Sequence, residues 1–161
     1  LSTYLGFAYY VPSVLADTSS RIETKVSKPF PGLESHVEPN TLNNGFYNGK
    51  YRAEGEIVIQ NNDVPISGRL DLIYSLCFLE EDGKSGCADG KREVLEGLPK
   101  GELRRHFSFK QRYAPKDNPP PRGRPKITVG LMKGPEGFIY EAHHFIPAEA
   151  GYQCQKNCPT D

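Results

Sequence analysis

Along most of this chain apolar and polar residues alternate one by one, in short runs broken by Pro and Gly. In "RIETKVS", residues 21–27, Ile22, Thr24 and Val26 share one face and Arg21, Glu23 and Lys25 the other. A period of two is the side-chain spacing of a β-strand. "YRAEGEIVIQ" sets Tyr51, Ala53, Ile57 and Ile59 on one side. "RLDLIYSLCF" sets Leu70, Leu72, Tyr74, Leu76 and Phe78 against Arg69, Asp71, Ser75 and Cys77, the clearest strand of all. "REVLEG" is a shorter strand, and "ELRRHFSFKQRY" opposes Leu103, Phe107 and Phe109 to Arg104, His106 and Lys110. "KITVGLM" and "FIYEAHHFIP" complete the series. Between these runs, residues 28–50 read as a loop punctuated by Pro29, Pro31, Gly32, Pro39, Gly45 and Gly49. Residues 79–91, "LEEDGKSGCADGK", read as an acidic Gly-rich loop, and Tyr113–Pro125 as a long Pro-rich hairpin connection. About seven short strands without a long amphipathic helix predict an all-β fold. The arrangement expected is an antiparallel immunoglobulin-like β-sandwich over residues 20–150 with long Pro/Gly-rich loops; a barrel is the alternative.

Composition agrees with that fold. Sixteen Gly and fourteen Pro supply turns, while nine Tyr and eight Phe favour strands. Hydrophobic residues make up 37% of the chain and the mean hydropathy is −0.58, a lean core for 161 residues. No run approaches the roughly 20 apolar residues of a membrane helix.

The first sixteen residues break the alternation. Leu1 to Ala16 carry no charge, and they include Leu5, Phe7, Tyr9 and Tyr10. Val14-Leu15-Ala16 before Asp17 resembles the small-residue end of a secretory signal. The other readings are a segment that docks on a protein partner or a membrane surface, or a strand or helix that packs on its own domain.

Pro121-Arg122-Gly123-Arg124-Pro125-Lys126 spells the core of an AT-hook. Two arginines on an extended, Pro-flanked backbone suit the negative potential of a narrow minor groove. The same residues also suit a surface turn. Twenty Lys+Arg balance twenty Asp+Glu, and that neutrality argues against a nucleic-acid partner, whose binding draws on phosphate neutralisation.

Four cysteines, Cys77, Cys87, Cys154 and Cys158, allow three disulfide connectivities; Cys154 and Cys158 sit in a polar tail over residues 151–161. An even count in an exported chain points to bridges that fasten a lean core, and so to an extracytoplasmic, secreted or periplasmic location. Zinc held by Cys154, Cys158, His143 and His144 fits poorly, because adjacent histidines on a strand point to opposite faces. Residues 46–87, from "FYNGKYRAEG" to the strand ending Tyr74-x-x-Cys77 and the loop carrying Cys87, resemble the N-terminal periplasmic domain of the thiol:disulfide interchange reductases. The resemblance implies an immunoglobulin-like domain with Cys77 and Cys87 as a redox pair that passes electrons to partners.

Other chemistry is sparse. Glu80, Glu81, Asp82 and Asp89 could meet a hard cation, but their spacing does not fit an EF-hand loop. His106, His143 and His144 have no nucleophile motif beside them, and His143 or His144 near Phe138 and Tyr140 reads as a hydrogen-bonded core residue. The expectation is therefore a non-catalytic binding or assembly module without cofactor or metal, an accessory subunit of a larger complex. Thiol–disulfide exchange at Cys77 and Cys87 is the alternative. A lipid-binding sandwich and DNA binding through Arg122 and Arg124 stand behind it.

Overall fold

A computed structural model describes residues 21–80, 83–112 and 123–147 of the chain. Nine strands lie among them: β1 (Glu23–Lys28), β2 (Leu33–Val37), β3 (Asn43–Tyr47), β4 (Lys50–Asn61), β5 (Ile66–Leu79), β6 (Ser85–Leu98), β7 (Gly101–Arg112), β8 (Arg124–Met132) and β9 (Phe138–Phe145). Every ladder is antiparallel. One sheet runs β1-β9-β8-β5-β6. The other is built on β4, which pairs with β7 along its whole length. Its opposite edge takes β3 at residues 50–54 and β2 at residues 57–61. The two sheets make an antiparallel β-sandwich, and β6 and β7 belong to different sheets, so no barrel closes among the described strands.

The inner faces are the ones the alternation marked. Tyr51, Ala53, Ile57 and Ile59 of β4 meet Leu70, Leu72, Tyr74, Leu76 and Phe78 of β5 in one core with Phe107, Phe109, Ile127, Val129, Leu131 and Tyr140. All are at most 8% exposed. Each such side chain contributes roughly 1.5–3 kcal/mol by leaving water. Tyr51 and Phe78 meet edge to face with ring centroids 5.6 Å apart, and Phe107 stacks on Phe109 at 5.5 Å.

Three expectations need correction. Nine strands stand where seven were expected. The two extra ones, β2 and β3, come from the supposed loop over residues 28–50. The overlooked signal is Asn48-Gly49 between Tyr47 and Lys50, which face each other across the ladder. Both turn residues have positive φ, 52° and 76°, as a two-residue hairpin of the primed type demands. The third correction concerns residues 79–91. From Ser85 onward they are already β6, a strand of 14 residues rather than the short one at 92–97. Among the described residues β6 pairs only with β5, and it is exposed along most of its length; only Leu98 of this strand is buried. The inward face of β6 is only half-buried, with Leu95 against the core and Glu93 held by Arg105, so it carries too little apolar alternation for periodicity to reveal.

β1 is also an edge. All six of its residues are exposed, and Val26 is 45% exposed rather than packed inward. Gly130 of β8 lies beneath a ring: a Cβ there would sit 2.6 Å from Cε1 of Phe138.

Candidate functional site

The chain's one cysteine pair among the described residues is a disulfide. Cys77 of β5 and Cys87 of β6 face each other in the ladder, with Cα atoms 3.9 Å apart and an S–S bond of 2.08 Å. The register slips by one residue here, because Leu76 faces Asp89 while Cys77 faces Cys87. Of the possible partners for Cys77 the structure takes Cys87; Cys154 and Cys158 lie outside the described residues. The two ends differ in access. Cys77 is fully buried and Cys87 is exposed. The Ser75 hydroxyl lies 3.4 Å from the Cys77 sulfur. On the other side of Cys77, in β8, stands Lys126. Its ammonium donates to Ser85 Oγ on β6 at 2.8 Å, so the side chain crosses the outer surface of β5 near the bridge. Burial holds this lysine below the ordinary lysine range; Glu141 pushes it back up and Lys25 adds to the lowering.

The two adjacent histidines part as strand geometry requires. His144 is fully buried between the sheets. Its Nε2 lies 2.9 Å from Ser35 Oγ on β2, and its Nδ1 lies 2.9 Å from Thr24 Oγ1 on β1. Ser35 Oγ also meets the Tyr140 hydroxyl at 2.7 Å. Burial, with smaller contributions from His36 and His143, lowers the His144 pKa to about 4, so the ring is neutral at physiological pH. This group bolts β2 to β9 across the core. His143 points outward, within 3.0 Å of Ser27 Oγ and 3.2 Å of Thr128 Oγ1.

The AT-hook-like stretch divides. Its Arg122 lies outside the described residues, as do Leu5, Phe7, Tyr9 and Tyr10 of the apolar N-terminal segment. Arg124 and Pro125 are not loop residues; they open β8, paired with Leu79 and Phe78. The Arg124 guanidinium forms an ion pair with Glu23 of β1 and lies 4.4 Å from the centre of the Phe145 ring. Lys126, the last residue of the stretch, is 4% exposed.

A feature that the sequence reading missed lies on the outer surface of the β4 sheet. Two Lys-x-Arg runs, Lys50-Tyr51-Arg52 and Lys110-Gln111-Arg112, sit on neighbouring strands. With Tyr51, Ala53 and Phe109 turned into the core, the four cations take the outward register positions, and of these Lys50 is itself buried, 3% exposed. The antiparallel register sets Lys50 opposite Arg112 and Arg52 opposite Lys110. Arg52 also lies over the Tyr47 ring, 5.6 Å from its centre. At the far end of the same ladder Arg104 is shared by Glu38, Glu56 and Glu102 at 2.8–3.3 Å. Each run, read at period two, announces two cations on one face. Only the pairing of strands some fifty residues apart brings the runs together.

Beside this corner the edges of the two sheets approach one another. A cleft of about 170 Å³ is lined by Arg52, Ala53, Asp89, Ser108, Phe109 and Lys110. A second, of about 230 Å³, shares Asp89, Ser108 and Phe109 with it and runs past Lys91 and His106. Asp89 holds the edges together, accepting from the backbone N–H of Lys110 at 3.2 Å and of Gly90 at 3.0 Å. Further along, Glu93 of β6 takes both Nε and Nη2 of Arg105 of β7, at 2.8 and 2.7 Å. That fork keeps the Glu93 carboxyl below the usual carboxylate range.

No protein-family model and no curated sequence matches the chain. Among solved structures it is similar to the crystal structure of chicken MD-1 complexed with lipid IVa. Identity is 14%, over 80% of this chain and 89% of that one, and the TM-score is 0.36. At that distance the likeness bears on neither the fold nor the ligand of this chain. Its own geometry defines the class: a disulfide-tied antiparallel β-sandwich with a basic corner on one outer face.

Proposed function

We propose that the chain is a non-catalytic binding or assembly module that acts outside the cytoplasm, as an accessory part of a larger complex. The observation that carries this reading is the Ser35–His144 pair. It brings a hydroxyl to an imidazole at 2.9 Å, yet Ser35 is 8% exposed, His144 is fully buried, and both ring nitrogens are engaged. A hydroxyl–imidazole pair that no substrate reaches serves the fold, and recognition is left to the surfaces. The Cys77–Cys87 bridge supports an oxidising compartment. A protein partner would be met through residues 1–16, whose apolar run is costly to leave in water. Sedimentation velocity of the intact chain and of one lacking residues 1–16 tests the proposal. Association or poorer solubility in the intact chain alone is expected. Two equally soluble, stable monomers would remove the reading.

Thiol–disulfide exchange at Cys77–Cys87 is a second reading, favoured by the unequal exposure of the two sulfurs. An external thiolate would attack the reachable Cys87 sulfur and form a mixed disulfide with it. The bond to Cys77 would break and Cys77 would leave as the thiolate, beside Lys126. Titration with a glutathione buffer, read by alkylation and mass spectrometry, separates the readings. Ready exchange with the fold intact would favour this one, and a pair that stays closed until the protein melts would exclude it.

A further inference from the structure

Cys77 is fully buried, yet it is not the core that buries it. On β5 the side chains of Leu76 and Phe78 join the core, which leaves Cys77 on the outer face. Across that face one row of facing residues spans the five-stranded sheet: Glu23 of β1, Phe145 of β9, Lys126 of β8, Cys77 of β5 and Cys87 of β6. Lys126 covers the sulfur from β8. Its ammonium reaches over β5 to Ser85 Oγ on β6 at 2.8 Å. Facing side chains of adjacent strands stand about 5 Å apart at Cβ, so that reach carries the lysine past the Cys77 sulfur. On its other side Lys126 Nζ lies 5.6 Å from the centre of the Phe145 ring. The lysine is 4% exposed.

Two polar groups therefore flank the Cys77 sulfur. The Ser75 hydroxyl, on the same face of the same strand, lies 3.4 Å from it. The Lys126 ammonium brings positive charge to a place shielded from water, where a charge–charge contact is screened least. A closed disulfide carries no charge and needs neither group. A buried thiolate needs both, because an anion taken out of water without partners is costly. The other sulfur is differently placed. Cys87 is exposed, and Gly86 beside it leaves open space where a side chain would stand. One end of the bridge is open to an incoming thiol, and the other is furnished to receive an anion.

We propose that Lys126 and Ser75 are positioning residues for thiol–disulfide exchange, holding the Cys77 thiolate while a partner's thiol is joined to Cys87. The proposal rests on the exchange reading of this bridge and deepens it. An incoming thiolate, its proton lost to solvent, forms a bond to the Cys87 sulfur. The Cys77–Cys87 bond breaks and its electron pair leaves on Cys77. A second thiolate attacks the partner's sulfur in the mixed disulfide and releases Cys87, which takes a proton from water. Two partner thiols are thereby oxidised to a disulfide, and the bridge is reduced by two electrons. Held by Lys126 and Ser75, the Cys77 thiolate is a better leaving group and a poorer returning nucleophile. The other charged groups around the row are Lys25 and Glu23 of β1, Glu141 and His143 of β9, Arg124 of β8 and Asp89 of β6. Of these, Glu23 and Arg124 are paired with each other, and Asp89 accepts from the N–H groups of Lys110 and Gly90.

The test uses the intact chain in glutathione buffers, with exchange read by alkylation and mass spectrometry. In the reduced protein the Cβ carbon NMR signal of Cys77 is followed with pH. Lys126→Met should slow exchange at least about threefold and move the Cys77 titration to higher pH. Ser75→Ala should change both in the same direction, and Lys126→Arg should stay close to wild type. Rates and titrations equal in wild type and Lys126→Met, or an effect that Lys126→Arg shares in full, overturn the proposal, and exchange in the wild type then leaves the reading standing. A wild-type pair that stays closed until the protein melts removes the reading and the proposal together. His143 feels the Lys126 charge, so the comparison is repeated with His143→Gln. A Lys126 effect that vanishes there belongs to the histidine and overturns the assignment.

Discussion

Acid should destabilise this protein through His144 in particular. The ring is 0% exposed, and burial lowers its pKa from 6.5 to about 4. Between those values the unfolded chain binds a proton that the folded chain refuses. The unfolded state therefore binds more protons, and stability falls as pH drops from about 6.5 towards 4. Each pH unit across that window costs about 1.4 kcal/mol, so roughly 1 kcal/mol is lost by about pH 5.5 and roughly 3 kcal/mol by about pH 4. Below about pH 4 this group makes no further difference, because both states are then protonated. His143 is held low as well, by burial first and then by Lys126, and it adds a contribution of the same sign. The His144 share is isolated with His144→Gln, a neutral amide that still offers a donor to one hydroxyl and an acceptor to the other. Urea unfolding of both proteins from about pH 7.5 to about pH 4.5 gives the two slopes. The wild type should lose stability more steeply, and the imidazole NMR signal of His144 should not titrate above about pH 5. Parallel slopes, or a ring that titrates near 6.5, would refute the argument that this histidine is a neutral bolt between β2 and β9.

Further outcomes follow from single features of the structure. Replacing Cys77 and Cys87 together by Ala should lower stability by roughly 3 kcal/mol, the loop-closure value for the 10-residue separation, as read by urea unfolding. Little or no change would mean that the bridge does not fasten the sandwich. Gly130→Ala should cost roughly 1–3 kcal/mol, because the new methyl meets the Phe138 ring at 2.6–2.9 Å, and a melting temperature equal to wild type would contradict that contact. Arg122→Ala with Arg124→Ala should leave any DNA affinity at its salt-sensitive background, since Arg124 is tied to Glu23; loss of a preference for A·T-rich duplex in that double variant would reverse this view.

What the sequence determined by itself was the part that period-two alternation encodes. Strands with one face in the core, such as β4, β5, β7 and β8, were legible together with the residues that fill it, because burial on one side forces every second residue to be apolar. The all-β class and the sandwich follow from those strands and the turns between them. The parting of His143 and His144 to opposite faces was legible for the same reason. What only the tertiary structure decided was what meets what. β6 leaves little apolar trace because its outer face meets water and its inner face is only half-buried, so the partner of Cys77 appeared only when β6 was laid against β5. β2 and β3 are five residues each, too short for a period, and the Asn48-Gly49 turn was their sole local mark. Arg124 reads as half of a groove-binding motif until Glu23, a hundred residues earlier, is brought beside it by the pairing of β1 with β9 and β9 with β8. The basic corner has the same origin. Lys-x-Arg twice in a chain is unremarkable, and the two runs meet only because an antiparallel ladder sets Arg52 against Lys110. Alternation is a local record of which side faces water, whereas register and charge complementarity arise between strands that no short window contains.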